Sequence, residues 1–126
     1  MVAAIAWKNA HRGVTHEYNC TLPLSHGTQP TALRGTLYRN GPGRMHAYGT
    51  KYEHLFDGDG HVQSFSFDGT SVRYRNRYVE TREFVAERAA QRLLYRSTGT
   101  AKPGGLLRNA FDPVFKNAAN TSAFVH

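Results

Sequence analysis

The spacing of apolar and polar positions changes period along the chain, and the changes predict its elements. From Leu33 to Asn40, Leu33, Gly35 and Leu37 fall on one side and Arg34, Thr36 and Tyr38 on the other. That is the period-two pattern of a strand. Gly41-Pro42-Gly43 is expected to end it. Arg44 to Lys51 reads as a polar, Gly-containing loop, and Tyr52 to Leu55 as a short extended lead. Alternation returns beyond Gly60, with Phe65 and Phe67 on one face and Ser64 and Ser66 on the other. A second run sets Val72, Tyr74, Asn76 and Tyr78 against Arg73, Arg75, Arg77 and Val79. Asp68-Gly69 between the runs predicts a hairpin, because Gly accepts φ > 0 and Asp visits that region readily.

Downstream the period becomes helical. Phe84, Val85, Arg88, Leu93, Leu94 and the alanines at 86, 89 and 90 predict a helix over about Glu83–Tyr95. Thr81 is placed to cap its N-terminus, and Glu83 adds negative charge to the first turn. Gly99 and Pro103-Gly104-Gly105 mark a loop, and Leu106–Phe115 predicts one further helical turn interrupted by Pro113. Asn117–Asn120 is turn-like, and Ala123-Phe124-Val125 reads as the start of a strand. Upstream, residues 1–26 form a poorly patterned lead-in in which Ala3–Lys8 could start a short helix. Pro23 and Pro30 punctuate an extended segment. Periodicity alone therefore supports a mainly β chain with one short helix.

Composition narrows the function classes. The 126 residues carry 16 Lys and Arg against nine Asp and Glu, a formal charge of +7. The basic residues are scattered, so a solvated basic surface is favoured over nucleic-acid binding, which needs clustered charge. A single cysteine, Cys20, excludes an internal disulfide and the usual cysteine zinc sites. It suits a reducing compartment, and the expected location is cytoplasmic with peripheral membrane contact allowed. No stretch approaches the ~20 apolar residues of a membrane-spanning helix.

The chemistry is concentrated at Phe56-Asp57-Gly58-Asp59-Gly60, where two carboxylates alternate with two glycines. As a calcium loop it fails: the twelfth position from Asp57 is Asp68 rather than Glu, and the sixth is Val62 rather than Gly. The structural reading is that Asp57 and Asp59 accept backbone N–H groups around a tight turn, with Gly58 and Gly60 supplying backbone freedom. A general acid/base pair is the other reading. His46, His54 and His61 lie on or beside loops at spacings of no helical metal site, and the irregular His11, His16 and His26 read as surface residues. The Arg73, Arg75, Arg77 stripe reads as a solvated strand face or as partners of the turn carboxylates.

Four motifs in order, GTLYRNGPG at Gly35–Gly43, HLFDGDG at His54–Gly60, YRNRYVET at Tyr74–Thr81 and KNAANTSAFVH at Lys116–His126, resemble the carotenoid oxygenase family. The likeness runs from about Gly27 to the end of the chain and takes in Glu87 and Pro103–Gly105. Gly27, Pro30, Leu33 and Gly35 fit that family's opening pattern, whereas Gln29 stands where an aliphatic residue is usual. The resemblance implies a seven-bladed β-propeller of which residues 1–126 form an incomplete amino-terminal part. It implies a non-haem Fe(2+) dioxygenase that uses O2 to cleave a conjugated double bond of a carotenoid, apocarotenoid or stilbene. Its four iron-binding histidines are expected beyond His126, so no catalytic or metal residue is assigned within this chain, and alone it is expected to bind no iron and to turn nothing over. His54 matches the residue before the acidic turn, and His61 stands where many relatives carry Met. The motif residues carried over are structural: Arg39, Asn40, Gly41, Pro42, Phe56, Asp57, Gly58, Asp59, Gly60, Asn76 and Arg77. Two alternatives stay open, a non-catalytic remnant that binds an apolar ligand or partner and a small basic module for nucleic acid or anionic surfaces.

Overall fold

The computed structural model describes residues 13–110 and 114–124. In chain order its elements are β1 (Asn19–Leu22), β2 (Arg34–Pro42), β3 (His46–Ala47), β4 (Thr50–Lys51), β5 (Gly60–Asp68), β6 (Val72–Tyr78), α1 (Arg82–Ala90) and α2 (Gly105–Ala110). A single 3-10 turn covers Leu55–Asp57. Four of the strands form one antiparallel sheet in the order β1-β6-β5-β2. The described residues thus make one four-stranded sheet rather than a closed propeller.

The predicted hairpin is the sheet's centre, with His61 opposite Tyr78 and Phe67 opposite Val72. Its turn is held by Asp68, whose carboxylate accepts from the amides of Thr70 (2.8 Å) and Ser71 (2.6 Å) and from both hydroxyls. Those bonds, the Ser71 hydroxyl foremost, hold the Asp68 carboxyl well below the usual carboxylate range. Gly69 sits at φ +89°, where a side chain would be strained.

Several boundaries differ from the sequence reading. β2 runs through Gly41 and Pro42, which pair with His61 and Gly60. Its far side has no neighbour in the sheet, and there the N–H that proline lacks is not needed. The expected loop over Arg44–Lys51 contains the β3–β4 hairpin, turned by Tyr48 (φ 51°) and Gly49 (φ 78°). A third missed strand is β1, which ends immediately before Pro23. No strand begins at Ala123–Phe124, and Ala3–Lys8, Pro113 and Val125 lie outside the described residues.

The helix is shorter than predicted. It stops at Ala90 because Gln91 turns left-handed (φ 52°), which returns the chain so that the Leu94 and Tyr95 amides reach the Glu87 carboxylate at 3.0 and 3.2 Å. Leu93 consequently packs with Met45, Ala47 and Tyr52 instead of extending a helical stripe. The start is as read: the Thr81 hydroxyl accepts from the Phe84 amide at 3.1 Å. Thr81→Ala is expected to cost about 1 kcal/mol and Thr81→Ser almost nothing, read as the shift in denaturant midpoint. Equal midpoints for Thr81→Ala and the parent would show that the cap contributes nothing.

The apolar cluster Met45, Ala47, Tyr52 and Leu93 lies beside the acidic turn rather than across the sheet. The large apolar residues of the sheet are not deeply covered: Leu37 is exposed and Phe65, Phe67, Tyr74 and Tyr78 are half-buried, and Phe124, beyond the sheet, is exposed.

Candidate functional site

The carboxylates of the acidic turn are fully buried, Asp57 at 1% and Asp59 at 2% exposure, and they are buried by segments distant in sequence. Gly58 and Gly60 make this possible. A Cβ on Gly58 would lie 2.6 Å from the Arg44 carbonyl oxygen, and one on Gly60 would lie 2.2 Å from that of Ala119. Backbone therefore passes directly over the turn on both sides. The Gly60 amide donates to Ala118 O at 2.6 Å, and the Gly43 amide to Asp59 O at 2.7 Å.

Each carboxylate has its own partners. Asp59 accepts from Lys116 Nζ at 2.6 Å, from Tyr52 O–H at 3.2 Å and from Arg44 Nε. The same ammonium reaches Glu87 Oε2 at 2.7 Å and the Tyr52 oxygen at 2.9 Å. Two cations thus face two carboxylates, and the cluster is neutral overall. Burial alone would lower the Lys116 pKa, but the Asp59 charge and the bonds to Asp59, Glu87 and Tyr52 outweigh it and hold the ammonium above the usual lysine range. Burial, reinforced by Asp59, pushes the Tyr52 phenol up to about 12. Among the described residues Asp57 meets no cation. It accepts from the Gly99 amide at 3.0 Å and the Thr100 hydroxyl at 2.7 Å, and Thr100 Oγ1 in turn accepts from the Glu53 amide at 2.7 Å.

Two asparagines complete the clasp. Asn120 Nδ2 donates to the carbonyls of Phe56 (2.8 Å) and Gly58 (2.7 Å). From β2, Asn40 Nδ2 donates to Ala119 O and Ser122 O, both at 3.1 Å. Residues 116–122 are thereby locked across the turn and the end of β2. Glu87, Lys116 and Asn120 fall within the stretches of family likeness, but no local pattern showed that they meet the turn. Arg44, Tyr52 and Thr100 carried no signal at all. An Asp in a turn of two glycines, with no neighbouring side chain long enough to reach it, does imply distant partners.

The other motif residues do different work. Arg39, Gly41 and Pro42 are strand positions of β2, and Phe56 is exposed. Asn76 is buried on β6, where its amide nitrogen donates to His16 O at 3.1 Å and its oxygen accepts from the Tyr18 amide. Arg77 donates to Tyr18 O at 3.2 Å and pairs with Glu17 at 3.4 Å. These two tie the lead-in residues to the sheet. The arginine stripe does not reach the turn carboxylates, contrary to one sequence reading: Arg44 and Lys116 occupy Asp59, and the Gly99 amide and Thr100 hydroxyl occupy Asp57. Asp57 and Asp59 likewise accept from distant groups rather than from amides of their own turn.

Among the described residues no group of three or more His, Cys, Asp or Glu is arranged to hold a metal ion. His54 Nδ1 accepts from the Phe56 amide at 3.2 Å, and His46 is exposed on β3. His61 is buried, edge-on to Tyr78 at 5.0 Å, with Nε2 unpartnered among the described residues. Gly43 packs so closely that a Cβ there would lie 2.4 Å from the His61 Cβ. Burial lowers the His61 pKa, and the more distant Glu17 charge opposes this only in part. The folded state thus favours neutral imidazole, so its contribution is complete above the unfolded pKa near 6.5 and is lost as pH falls below it. His61→Met is expected to flatten the fall in melting temperature between pH 7 and pH 5. Identical pH profiles for parent and variant would contradict this.

Residues 11–126 match the family model described as retinal pigment epithelial membrane protein. The chain is 36% identical over 118 residues to apocarotenoid-15,15'-oxygenase of Synechocystis sp., an alignment that covers 92% of this chain and 24% of that protein. It is 38% identical over 96 residues to beta,beta-carotene 15,15'-dioxygenase of Mus musculus, covering 75% and 17%. Cobalt-substituted Synechocystis apocarotenoid oxygenase superposes with a TM-score of 0.88 at 37% identity, covering 91% of this chain and 24% of that one. The chain spans about a quarter or less of the length of these relatives.

Proposed function

Because the chain belongs to the retinal pigment epithelial membrane protein family, which includes carotenoid and apocarotenoid oxygenases, we propose that it is a structural part of an enzyme that cleaves a conjugated carbon–carbon double bond. The substrate class is a carotenoid, apocarotenoid or stilbene-like molecule, and the oxidant is O2. The observation that carries this reading is the joint match in sequence and shape, 36% identity with a relative whose backbone superposes at a TM-score of 0.86.

Ferrous iron would supply the O2 activation, since imidazole-held iron with open positions suits that chemistry. The described residues of this chain do not fit such a centre. His54 is turned back onto its own loop, His61 is walled in by Gly43 and Tyr78, and His46 is exposed. No reaction step is assigned to them. What these residues do is mechanical: the clasp fixes the acidic turn, the turn starts β5, and β5 sets the register of the sheet.

The test replaces the matched segment of the Synechocystis apocarotenoid oxygenase with this chain. Cleavage is followed as loss of the conjugated substrate's absorbance. The graft is expected to fold, bind its metal and cleave the apocarotenoid. A graft that folds and holds metal yet leaves the substrate intact would overturn the proposal.

A further inference from the structure

Strand register divides the four-stranded sheet into unlike faces. Tyr38 on β2 stands opposite Ser64 on β5, and Ser64 stands opposite Arg75 on β6. One step along, Thr36, Ser66 and Arg73 repeat the pattern. The other face carries Leu37, Phe65 and Tyr74 in the same alignment. One side is therefore aromatic and aliphatic, and the other is built from hydroxyls and guanidinium groups.

The three arginines of the polar face are not equivalent. Arg73 Nε donates to Asn19 Oδ1 at 3.0 Å, and Arg77 is held by Glu17 and by the Tyr18 and Asn76 carbonyls. Arg75 lies between them, exposed, with no side-chain hydrogen bond or ion pair among the described residues. It borders a depression of about 240 Å³ lined by Tyr38, Val62, Ser64, Arg75 and Arg77. No carboxylate lines it. Six of the nine acids are committed elsewhere: Asp57, Asp59 and Glu87 in the clasp, Asp68 in its own turn, Glu80 on Arg88 and Glu17 on Arg77.

We propose that this depression is a seat for a single carboxylate, with the Arg75 guanidinium as its fork and the Tyr38 hydroxyl as a further donor. The Ser64 hydroxyl joins only by giving up its 3.4 Å bond to the Arg75 carbonyl. A planar carboxylate matches the two parallel N–H groups of a guanidinium. One unopposed positive charge matches a monoanion better than a phosphate or a polyanion, which would need several free cations in a cluster. The carboxylate can be that of a free small acid or one borne on a polypeptide. The inference stands apart from the oxygenase reading, since it rests on register and charge alone.

The test uses the full 126-residue chain carried on an arginine-free solubility tag, with arginine side-chain NMR signals as the readout. Sodium acetate is titrated against sodium chloride at equal ionic strength, and a peptide with one Glu is compared with its Gln counterpart. The Arg75 signal is expected to move and saturate with acetate while the Arg73 signal stays still. Tighter binding of the Glu peptide than of acetate would identify a polypeptide-borne carboxylate, and equal binding a free acid. Read from the backbone amide signals of Val62 and Ser64, which remain in the variants, Arg75→Gln should weaken binding at least about tenfold and Tyr38→Phe a few-fold. If Arg75→Gln disturbs the amide spectrum, Arg75→Lys, which keeps the charge and loses the fork, serves in its place. Unsaturated shifts of equal size at all three arginines, or tighter binding of inorganic phosphate than of acetate, would overturn the assignment.

Discussion

Lys116→Met will lower stability by about 3–5 kcal/mol, among the largest losses any single substitution in this chain can produce. The ammonium is buried between Asp59 at 2.6 Å and Glu87 at 2.7 Å. Met fills similar space but leaves two buried carboxylates facing each other with only Arg44 to offset them. The penalty is that of uncompensated charge in a poorly solvated place, not of lost packing. Adding Glu87→Gln to Lys116→Met should therefore recover part of the loss, because one of the stranded charges is gone. Equilibrium unfolding in denaturant reads both. A loss below about 1 kcal/mol, the range of exposed ion pairs, would show the cluster to be solvated.

Gly60→Ala is expected to cost about 3 kcal/mol through a different cause. The added methyl would meet the Ala119 carbonyl oxygen at 2.2 Å and that of Ala118 at 2.7 Å. These are backbone atoms held by Asn40 and by the Gly60 amide itself, so they cannot swing aside as a side chain would. Relief requires the 116–122 segment to lift off, which also breaks the Gly60 N–Ala118 O bond and loosens Lys116. Overpacking of this kind costs about 1–3 kcal/mol before such secondary losses. Gly49, where nothing lies within 4 Å, isolates the contact effect from backbone strain: Gly49→Ala meets only the cost of its φ of +78°. If Gly60→Ala were no worse than Gly49→Ala, close approach would not be the reason for glycine at the turn.

The features legible in the sequence were those whose cause is local. Alternation and Asp68-Gly69 marked the central hairpin because both act within a few residues, and the Thr81 cap did the same for the start of the helix. The end of the helix was missed because Gln91, not the Gly or Asn that ordinarily marks a left-handed cap, reverses the chain there, and Glu87 then accepts from the Leu94 and Tyr95 amides. The β3–β4 hairpin was missed for a similar reason. Tyr48 is not a residue that ordinarily marks positive φ, and its neighbours Met45, Ala47 and Tyr52 serve the cluster under the acidic turn. At the site, the sequence pointed to Asp57 and Asp59 but not to their partners, 15 to 57 residues away by the ion pairs and 42 and 43 by the hydrogen bonds of Asp57. Charge pairing across such distances has no period for a sequence to display.

On the proposed function, the acidic turn holds structure and carries out no step of the reaction. Asp57→Ala in the grafted oxygenase is the test, because among the described residues Asp57 has no cation beside it and serves the Gly99 amide and the Thr100 hydroxyl. Losing that buried acceptor is expected to cost about 1–3 kcal/mol and so to lower the melting temperature. Melting temperature, metal content and kcat are measured on the same preparation, with kcat taken well below the melt. The predicted result is a lower melting temperature with metal content and kcat unchanged. An unchanged melting temperature with turnover abolished would contradict the claim and make Asp57 a participant in the chemistry.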